Sequence, residues 1–405
     1  MAGIPLNVVT NKEATNTNDQ TSDNPTHDPS AITTPNNKAG SYNSDSWIRE
    51  SDIKLSEETK ALIKQASEVY DQNNPTKRTW YGRCIFISWY CALDCTFCFR
   101  ATDSHNKRHA KDSKRSHGST LLEALFCKLF NWRIEFLTGG IGMMPDNELI
   151  EYARTISKVY GEKIWLNIGT LTTKRIDELL PYIKGVCGSM ETLHPELHKE
   201  VCPSKPIKPY DEMFTRLREE NPEIKRSIAV ICGLGDTLDD LTYLYNFIEK
   251  HQLHRITLYA LKPVKGGAFT QGPSVDFYAS WIASIRIRFP KLEIIAGTNL
   301  RRCEEVGTLL KAGASAFTKF PATKQFATSK ARLLARQTKD NGRNFISNFT
   351  ELKDKDGKDI NFEAEIDKLQ IEEHYKEQMK EKLPNYLKVF LNPKDKDKQK
   401  DTGGC

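Results

Sequence analysis

The sequence predicts an α/β chain folded as a (β/α)8 TIM-type barrel, with a disordered N-terminal tail and a charged C-terminal extension. Three observations lead there. Eight short β-branched or aromatic runs alternate with longer amphipathic stretches between about residues 84 and 320. Each connection is long enough to hold a helix, which implies parallel strand pairing. Eight strand–helix units in roughly 240 residues match the size of a closed (β/α)8 barrel. Periodicity alone also allows an open doubly wound sheet, so the count is what selects closure.

Residues 1–45 are dominated by Asn, Thr, Ser, Asp and Pro. Such a segment buries too little apolar surface to offset its ordering entropy and reads as a disordered tail. Residues 46–78 carry a helical segment, in which Leu55, Leu62, Ala66 and Val69 form an apolar stripe with Ile63 beside it. The barrel is assigned to 79–329. Its predicted strands are 84–90, 134–137, 163–168, 185–190, 227–232, 255–261, 292–297 and 314–320. Its predicted helices are 119–130, 146–159, 174–183, 210–220, 237–250, 275–288 and 301–311. Residues 330–405 are rich in Lys, Asp and Glu in near balance, with one helix-like stretch around 363–388. That composition reads as a solvated extension.

Composition excludes several classes of function. Of 405 residues, 38% are hydrophobic and 28% charged, an ordinary globular mixture. The net charge of +6, from 59 basic and 53 acidic residues, is too small to mark a nucleic-acid binder but leaves room for an anionic substrate. The longest apolar run, 84–93, has ten residues, about half of the ~20 needed to span a bilayer. The N-terminus lacks a basic region followed by an apolar run, so no secretory signal is expected. These features point to a cytoplasmic protein with no membrane and no nucleic-acid partner. Ten cysteines are too few for a disulfide scaffold in so long a chain. In a reducing compartment a tight cysteine group more often binds metal or performs catalysis.

That group lies in WYCALDCTFCFR, directly after the first predicted strand. Cys91, Cys95 and Cys98 form a C-x3-C-x2-C arrangement. Three thiolates on one loop suit three irons of a [4Fe–4S] cluster. No fourth cysteine lies nearby, which leaves one iron open, as catalytic metal sites require. The position also fits, because (β/α)8 enzymes place their chemistry in the loops after the strands. The competing reading is a metal-stabilised zinc protein that binds an anionic partner without catalysis. A structural zinc site needs four ligands, and the nearest extra donors, His105 and His109, sit in a charged loop.

The C-x3-C-x-aromatic-C spacing, with Phe97 as the aromatic, resembles the signature of the radical S-adenosylmethionine (SAM) superfamily. The resemblance implies that the three cysteines hold a [4Fe–4S] cluster whose open iron chelates the amino and carboxylate groups of SAM. One-electron reduction then cleaves the cofactor to a 5′-deoxyadenosyl radical, which abstracts hydrogen from a substrate. Thr138, Gly139 and Gly140 look like the family's glycine-rich loop at the methionine amino group. Ile141 and Gly142 stand where the family often has an acidic residue, so only backbone contact is implied there. From 163 to 240 the chain looks most like the biotin synthase branch, on NIGTLT (167–172), SMETLHPELHKEV (189–201) and GLGDTLDD (233–240). That likeness assigns Glu191 to the ribose hydroxyls, with Ser189 on the same face, and Gly233 and Gly235 to the adenine.

Departures from biotin synthase are equally informative. Trp165 and Ser227 stand where that enzyme has ligands of a second cluster, so the chain is not read as a biotin synthase. The branch's arginine for the SAM carboxylate falls at Glu212 or Met213, with Arg216 one turn later as a substitute. An auxiliary iron–sulfur cluster would draw on Cys187, Cys202 and Cys303. The loop 100–118 carries Arg100, Lys107, Arg108, Lys111, Lys114 and Arg115, a charge set suited to steering an anionic or carrier-bound acyl substrate. Tyr259, Lys262, Asn299, Arg301 and Lys319 end the late strands and are candidates for lining the pocket. The expected enzyme takes electrons from a one-electron reductant such as ferredoxin or flavodoxin. It carries out sulfur insertion, carbon-skeleton rearrangement or methyl transfer. No acid–base residue is assigned.

Overall fold

Eight parallel strands follow one another around a closed barrel: β1 (Tyr81–Phe86), β2 (Arg133–Thr138), β3 (Ile164–Asn167), β4 (Ile183–Glu191), β5 (Lys225–Cys232), β6 (Arg255–Ala260), β7 (Glu293–Gly297) and β8 (Ala316–Thr318). Pairing of β8 with β1, through Phe317–Tyr81 and Thr318–Gly82, closes the ring. This computed structural model describes residues 42–43, 47–101, 110–265, 267–353 and 357–391. The expected tail 1–45 lies outside them except for Tyr42–Asn43, which pair with Gln271–Gly272. His105, Lys107, Arg108 and His109 also lie outside the described residues.

The helices are α1 (Glu57–Asn73), α2 (His117–Leu129), α3 (Asp146–Tyr160), α4 (Thr173–Leu179), α5 (Pro195–Val201) and α6 (Lys208–Glu220). They continue as α7 (Leu241–His251), α8 (Val275–Arg288), α9 (Val306–Lys311), α10 (Ser329–Asp340), α11 (Phe362–Asp367) and α12 (Glu373–Leu391). Helix α1 starts later than expected, at the Ser56 cap, whose hydroxyl accepts from the Thr59 amide at 3.1 Å. Its buried stripe is Thr59, Ile63, Ala66 and Tyr70, with Leu62 and Val69 at the flank, because Thr59 meets Ser280 of α8 (Oγ1 to Oγ 2.8 Å). Among the described residues no helix is long and apolar enough to cross a membrane.

All eight strand runs are present, but β1 begins three residues earlier than expected and Ile87–Tyr90 leave the sheet as a loop. Tyr81 and Gly82 are drawn into the sheet by closure against β8, a long-range pairing that local composition does not display. Two irregularities bear on function. Glu135 is an extra residue between Ile134 and Phe136, which pair with the successive residues Arg83 and Cys84. Met190 is likewise extra between Ser189 and Glu191, which pair with Ala229 and Val230. Such bulges re-aim side chains and recur beside active sites.

Among the described residues after Ser329, many are not solvated as the charge suggested. Phe362, Ile366, Leu369, Tyr375, Met379, Leu383 and Phe390 are buried against the barrel's helical layer. Phe126 of α2 meets Phe362 at 5.7 Å, Tyr386 at 5.3 Å and Phe390 at 5.1 Å between ring centroids. A side chain at Gly118 would overlap the Gln378 backbone, so this glycine is what lets α12 lie directly on α2. The lysines and glutamates of α12 occupy its outer face, which is why composition alone misled.

Candidate active site

The cysteine loop hangs from the C-terminal end of β1 and is fastened on three sides. From the β2 loop, the Ile141 carbonyl accepts from the Ala92 amide at 3.0 Å, and the Ile141 amide donates to Cys91 Sγ at 3.4 Å. From the C-terminal end of α5 and the segment after it, the Val201 carbonyl accepts from the Thr96 amide at 3.0 Å. Ser204 donates to Asp94 Oδ1 through its amide at 3.2 Å and its hydroxyl at 2.5 Å. The Ser204 contacts hold the Asp94 carboxyl below its ordinary range. From the β6 loop, the Ala268 amide donates to the Thr96 carbonyl at 3.3 Å.

Gly140 has no space for a side chain, because a methyl there would overlap the Tyr90 carbonyl oxygen and the Cys91 backbone. Gly140→Ala is therefore expected to displace Cys91 and cut iron loading by roughly tenfold or more, as lost support of ligands commonly does. Iron analysis of the reconstituted variant checks this, and wild-type loading would contradict it.

The three thiols differ. Cys95 is buried, and its pKa is lowered chiefly by a hydrogen bond with Cys202, assisted by the Lys205 charge. Cys202 moves the opposite way, raised by that same bond and by burial. Cys98 is raised by desolvation, partly offset by its contact with Arg100. Phe97 packs with Cys95, Cys98, Cys202 and Leu234 in one apolar cluster, so the β5 loop meets the cysteine loop directly. Among the described residues no three His, Cys, Asp or Glu side chains converge as a single metal ion requires.

Glu191 has a left-handed backbone (φ 63°) just after the Met190 bulge. Its Oε1 accepts from Lys205 Nζ at 2.6 Å, and that ammonium also donates to the Ser189 carbonyl at 2.8 Å. Both side chains are largely buried, 7% exposed for Lys205 and 13% for Glu191. Burial alone would lower the Lys205 pKa, but Glu191 and the two thiols outweigh it and the net shift is upward. The expected pleat that places Ser189 and Glu191 on one face is interrupted by the bulge. Ser189 contributes its carbonyl to Lys205, while its hydroxyl donates to Asn167 Oδ1 at 3.0 Å. No feature of the sequence reading pointed to Lys205.

After β5 the chain turns through Gly233 (φ 102°) and Gly235 (φ 118°), conformations that favour glycine. A side chain at Gly235 would make only ordinary contact, with Leu197 at 3.4 Å, so the backbone conformation and not crowding favours glycine there. Asp236 Oδ1 accepts from the Gly233 and Leu234 amides at 2.8 Å each, while its Oδ2 is buried without a partner. An Asp closing a glycine turn is a legible signal that the sequence reading passed over.

Burial pushes the Asp236 carboxyl from 3.8 up to about 6. Between those values the folded state keeps a proton that the unfolded chain has lost. The resulting stabilisation is complete below about pH 4 and is lost as pH rises through about 6, a change on the order of 3 kcal/mol. Asp236→Asn is expected to flatten the fall in unfolding free energy across this window. A denaturation series in which the variant keeps the wild-type pH slope would contradict the assignment.

Inside the barrel the bulged Glu135 is fully buried. Its Oε1 accepts from Thr257 Oγ1 at 2.9 Å and Tyr259 OH at 3.0 Å, and its Oε2 from Cys84 Sγ at 2.9 Å and from Thr318. These donors fill the carboxylate's acceptor positions. Sequence reasoning missed Glu135, because an alternating strand would not place it beside Cys84.

The structure does not gather the thiols proposed for an auxiliary cluster. Cys187 lies among the barrel-interior side chains with Trp165, and Cys202 sits against Cys95. Cys303 packs in the outer core with its thiol on the Asn299 carbonyl at 3.4 Å. Arg216 donates to the Leu171 carbonyl, and its Nε is buried without a partner.

Comparison with known proteins decides the family. The sequence model of the radical SAM superfamily matches residues 85–248, the span from β1 to α7. An uncharacterized protein of Methanocaldococcus jannaschii, MJ0597, is 31% identical over 324 residues, which cover 77% of this chain and 89% of that protein. This chain belongs to the radical SAM superfamily. Two solved structures share the fold at 17% identity. Methylornithine synthase (PylB) has a TM-score of 0.56 over 67% of this chain and 82% of its own. The FeFe-hydrogenase maturase HydG from Carboxydothermus hydrogenoformans has a TM-score of 0.57 over 84% and 86%.

Membership in the radical SAM superfamily implies a [4Fe–4S] cluster and SAM. The residues present fit both. Three thiols lie on a loop fastened at every side, and the β2 loop approaches it closely only because Gly140 has no side chain. The β5 turn leaves a buried carboxyl oxygen without a partner at Asp236.

Proposed function

We propose that this radical SAM enzyme, of the biotin synthase-like branch, uses one cluster to abstract hydrogen from a small-molecule substrate held in the barrel mouth. Cys91, Cys95 and Cys98 hold the cluster in this reading. When bound and reduced, the cluster and SAM supply a 5′-deoxyadenosyl radical. The chain's own residues do the placing. The Thr138–Gly139–Gly140 loop presents backbone to the methionine end, and Phe97 packs beside the cluster. Glu191 receives the ribose hydroxyls through Oε2 while Lys205 holds Oε1, with the Ser189 carbonyl fixing Lys205. Gly233 and Gly235 admit the adenine.

The observation that carries this reading is the contact between loops. The β2, β4 and β5 loops, each assigned independently to a part of the cofactor, all touch the cysteine loop or the residues packed against it. Cys187, Cys202 and Cys303 fall in three separate clusters. This supports rearrangement, fragmentation or methyl transfer over sulfur insertion from a second cluster. Electrons come from a one-electron carrier such as ferredoxin or flavodoxin. The test is anaerobic incubation of reconstituted protein with SAM and dithionite, with 5′-deoxyadenosine quantified by chromatography. Product that requires protein, iron and reductant together is expected, and none above the iron-free control would overturn the reading.

A further inference from the structure

We propose that Arg100 and Lys319 together bind an anionic group of the substrate, a carboxylate or a phosphate, at the mouth of the barrel. This inference rests on the proposed reaction for its location but not for its chemistry. Lys319 directly follows β8 with a left-handed backbone (φ 67°), a conformation uncommon for a residue with a side chain. Its ammonium lies 4.8 Å from the ring centroid of Phe86 and 5.0 Å from that of Tyr259, two rings of the barrel interior. Arg100, two residues after Cys98, places its guanidinium carbon 5.3 Å from the centroid of the same Phe86 ring. Two cations from opposite ends of the barrel sequence thus lie over one aromatic side chain.

Among the described residues neither cation has an ionic partner, and Nε and Nη2 of Arg100 are buried with no hydrogen-bond partner. Buried guanidinium nitrogens without acceptors are costly, and such groups in a folded protein call for a ligand or another explanation. The nearest interior carboxylate, Glu135, is saturated by Cys84, Thr257, Tyr259 and Thr318 and makes no ion pair with Lys319. Contact with aromatic faces is weak at partly exposed sites and does not replace an ionic partner. A guanidinium fork and a flexible ammonium over a nonpolar floor suit a planar carboxylate or a tetrahedral phosphate. Placed beside Cys98 at the strand ends, the pair would hold the anionic end of a substrate while the rest faces the cysteine loop.

The experiment is isothermal titration calorimetry at low salt with inorganic phosphate and, separately, succinate. Both are titrated into cluster-free protein and into reconstituted protein with SAM. The cluster-free arm keeps the test readable if the cluster assignment fails. One anion or the other is expected to bind wild type at one site per chain, and which one binds names the group. Lys319→Met and Arg100→Met are each expected to weaken that binding by about tenfold or more, the loss expected for a charge-assisted hydrogen bond. Lys319→Arg should retain most of it, and circular dichroism should show all variants folded. SAM affinity should be unchanged in Lys319→Met. No binding of either anion to wild type, or unchanged affinity in both Met variants, would overturn the proposal. So would a loss of SAM affinity in place of anion affinity, which would assign the pair to the cofactor's own carboxylate.

Discussion

Replacing Cys95 by alanine is expected to abolish iron loading and with it all formation of 5′-deoxyadenosine, while the barrel stays folded. Cys95 lies in a loop fastened by Ile141, Val201, Ser204 and Ala268 rather than by its own thiol, so the backbone has no reason to collapse. The neighbouring Cys202 is the informative control. Its thiol packs in the same apolar cluster as Cys95 and Cys98, but it directly follows α5 and does not lie on the Cys91–Cys98 loop. Cys202→Ala should therefore retain iron and activity. Iron analysis, visible absorption and product assay on both variants check this pair of outcomes, and intact iron in Cys95→Ala would remove that residue from the ligand set.

Lys205→Met should have the second large effect, and on two separable quantities. The Lys205–Glu191 pair is largely buried, and removing one member of such a pair leaves an uncompensated charge at a cost of about 3–5 kcal/mol. Chemical denaturation should show that loss. Replacing both residues, as Lys205→Met with Glu191→Leu, should restore much of the stability, because paired apolar replacements are often close to neutral. SAM affinity should stay low in the double variant if Glu191 receives the ribose. A double variant that recovers both stability and SAM affinity would make the pair purely structural.

The barrel was legible in the sequence because strands of a parallel barrel, covered by helices, read as continuous β-branched and aromatic runs. Such runs locate all eight strands, since nothing but burial selects for them. The start of β1 was not legible, because Tyr81 joins the sheet through Phe317 of β8, more than two hundred residues away in the chain, and Gly82 through both Thr318 and Arg133. Bulges were invisible for a related reason. Glu135 and Met190 are extra residues in their ladders, and local alternation gives no sign of which residue a neighbouring strand will leave unpaired. The helix-like stretch around 363–388 was legible, but its burial was obscured by charge, although Tyr375, Met379, Leu383, Tyr386 and Phe390 repeat at helical spacing.

The candidate site divides along the same line. Cys91, Cys95, Cys98 and the glycines at 139, 140, 233 and 235 announce themselves by spacing and by backbone demands. Lys205 is held by Glu191 and Ser189 of β4, and a lysine in a loop carries no local mark of such partners.

The most direct test of the central claim is to purify the protein anaerobically, reconstitute it with iron and sulfide, and count irons per chain while assaying 5′-deoxyadenosine. The single-cluster account predicts about four irons per chain and reductant-dependent cleavage of SAM. Zinc in place of iron, or iron without any cleavage, would contradict it.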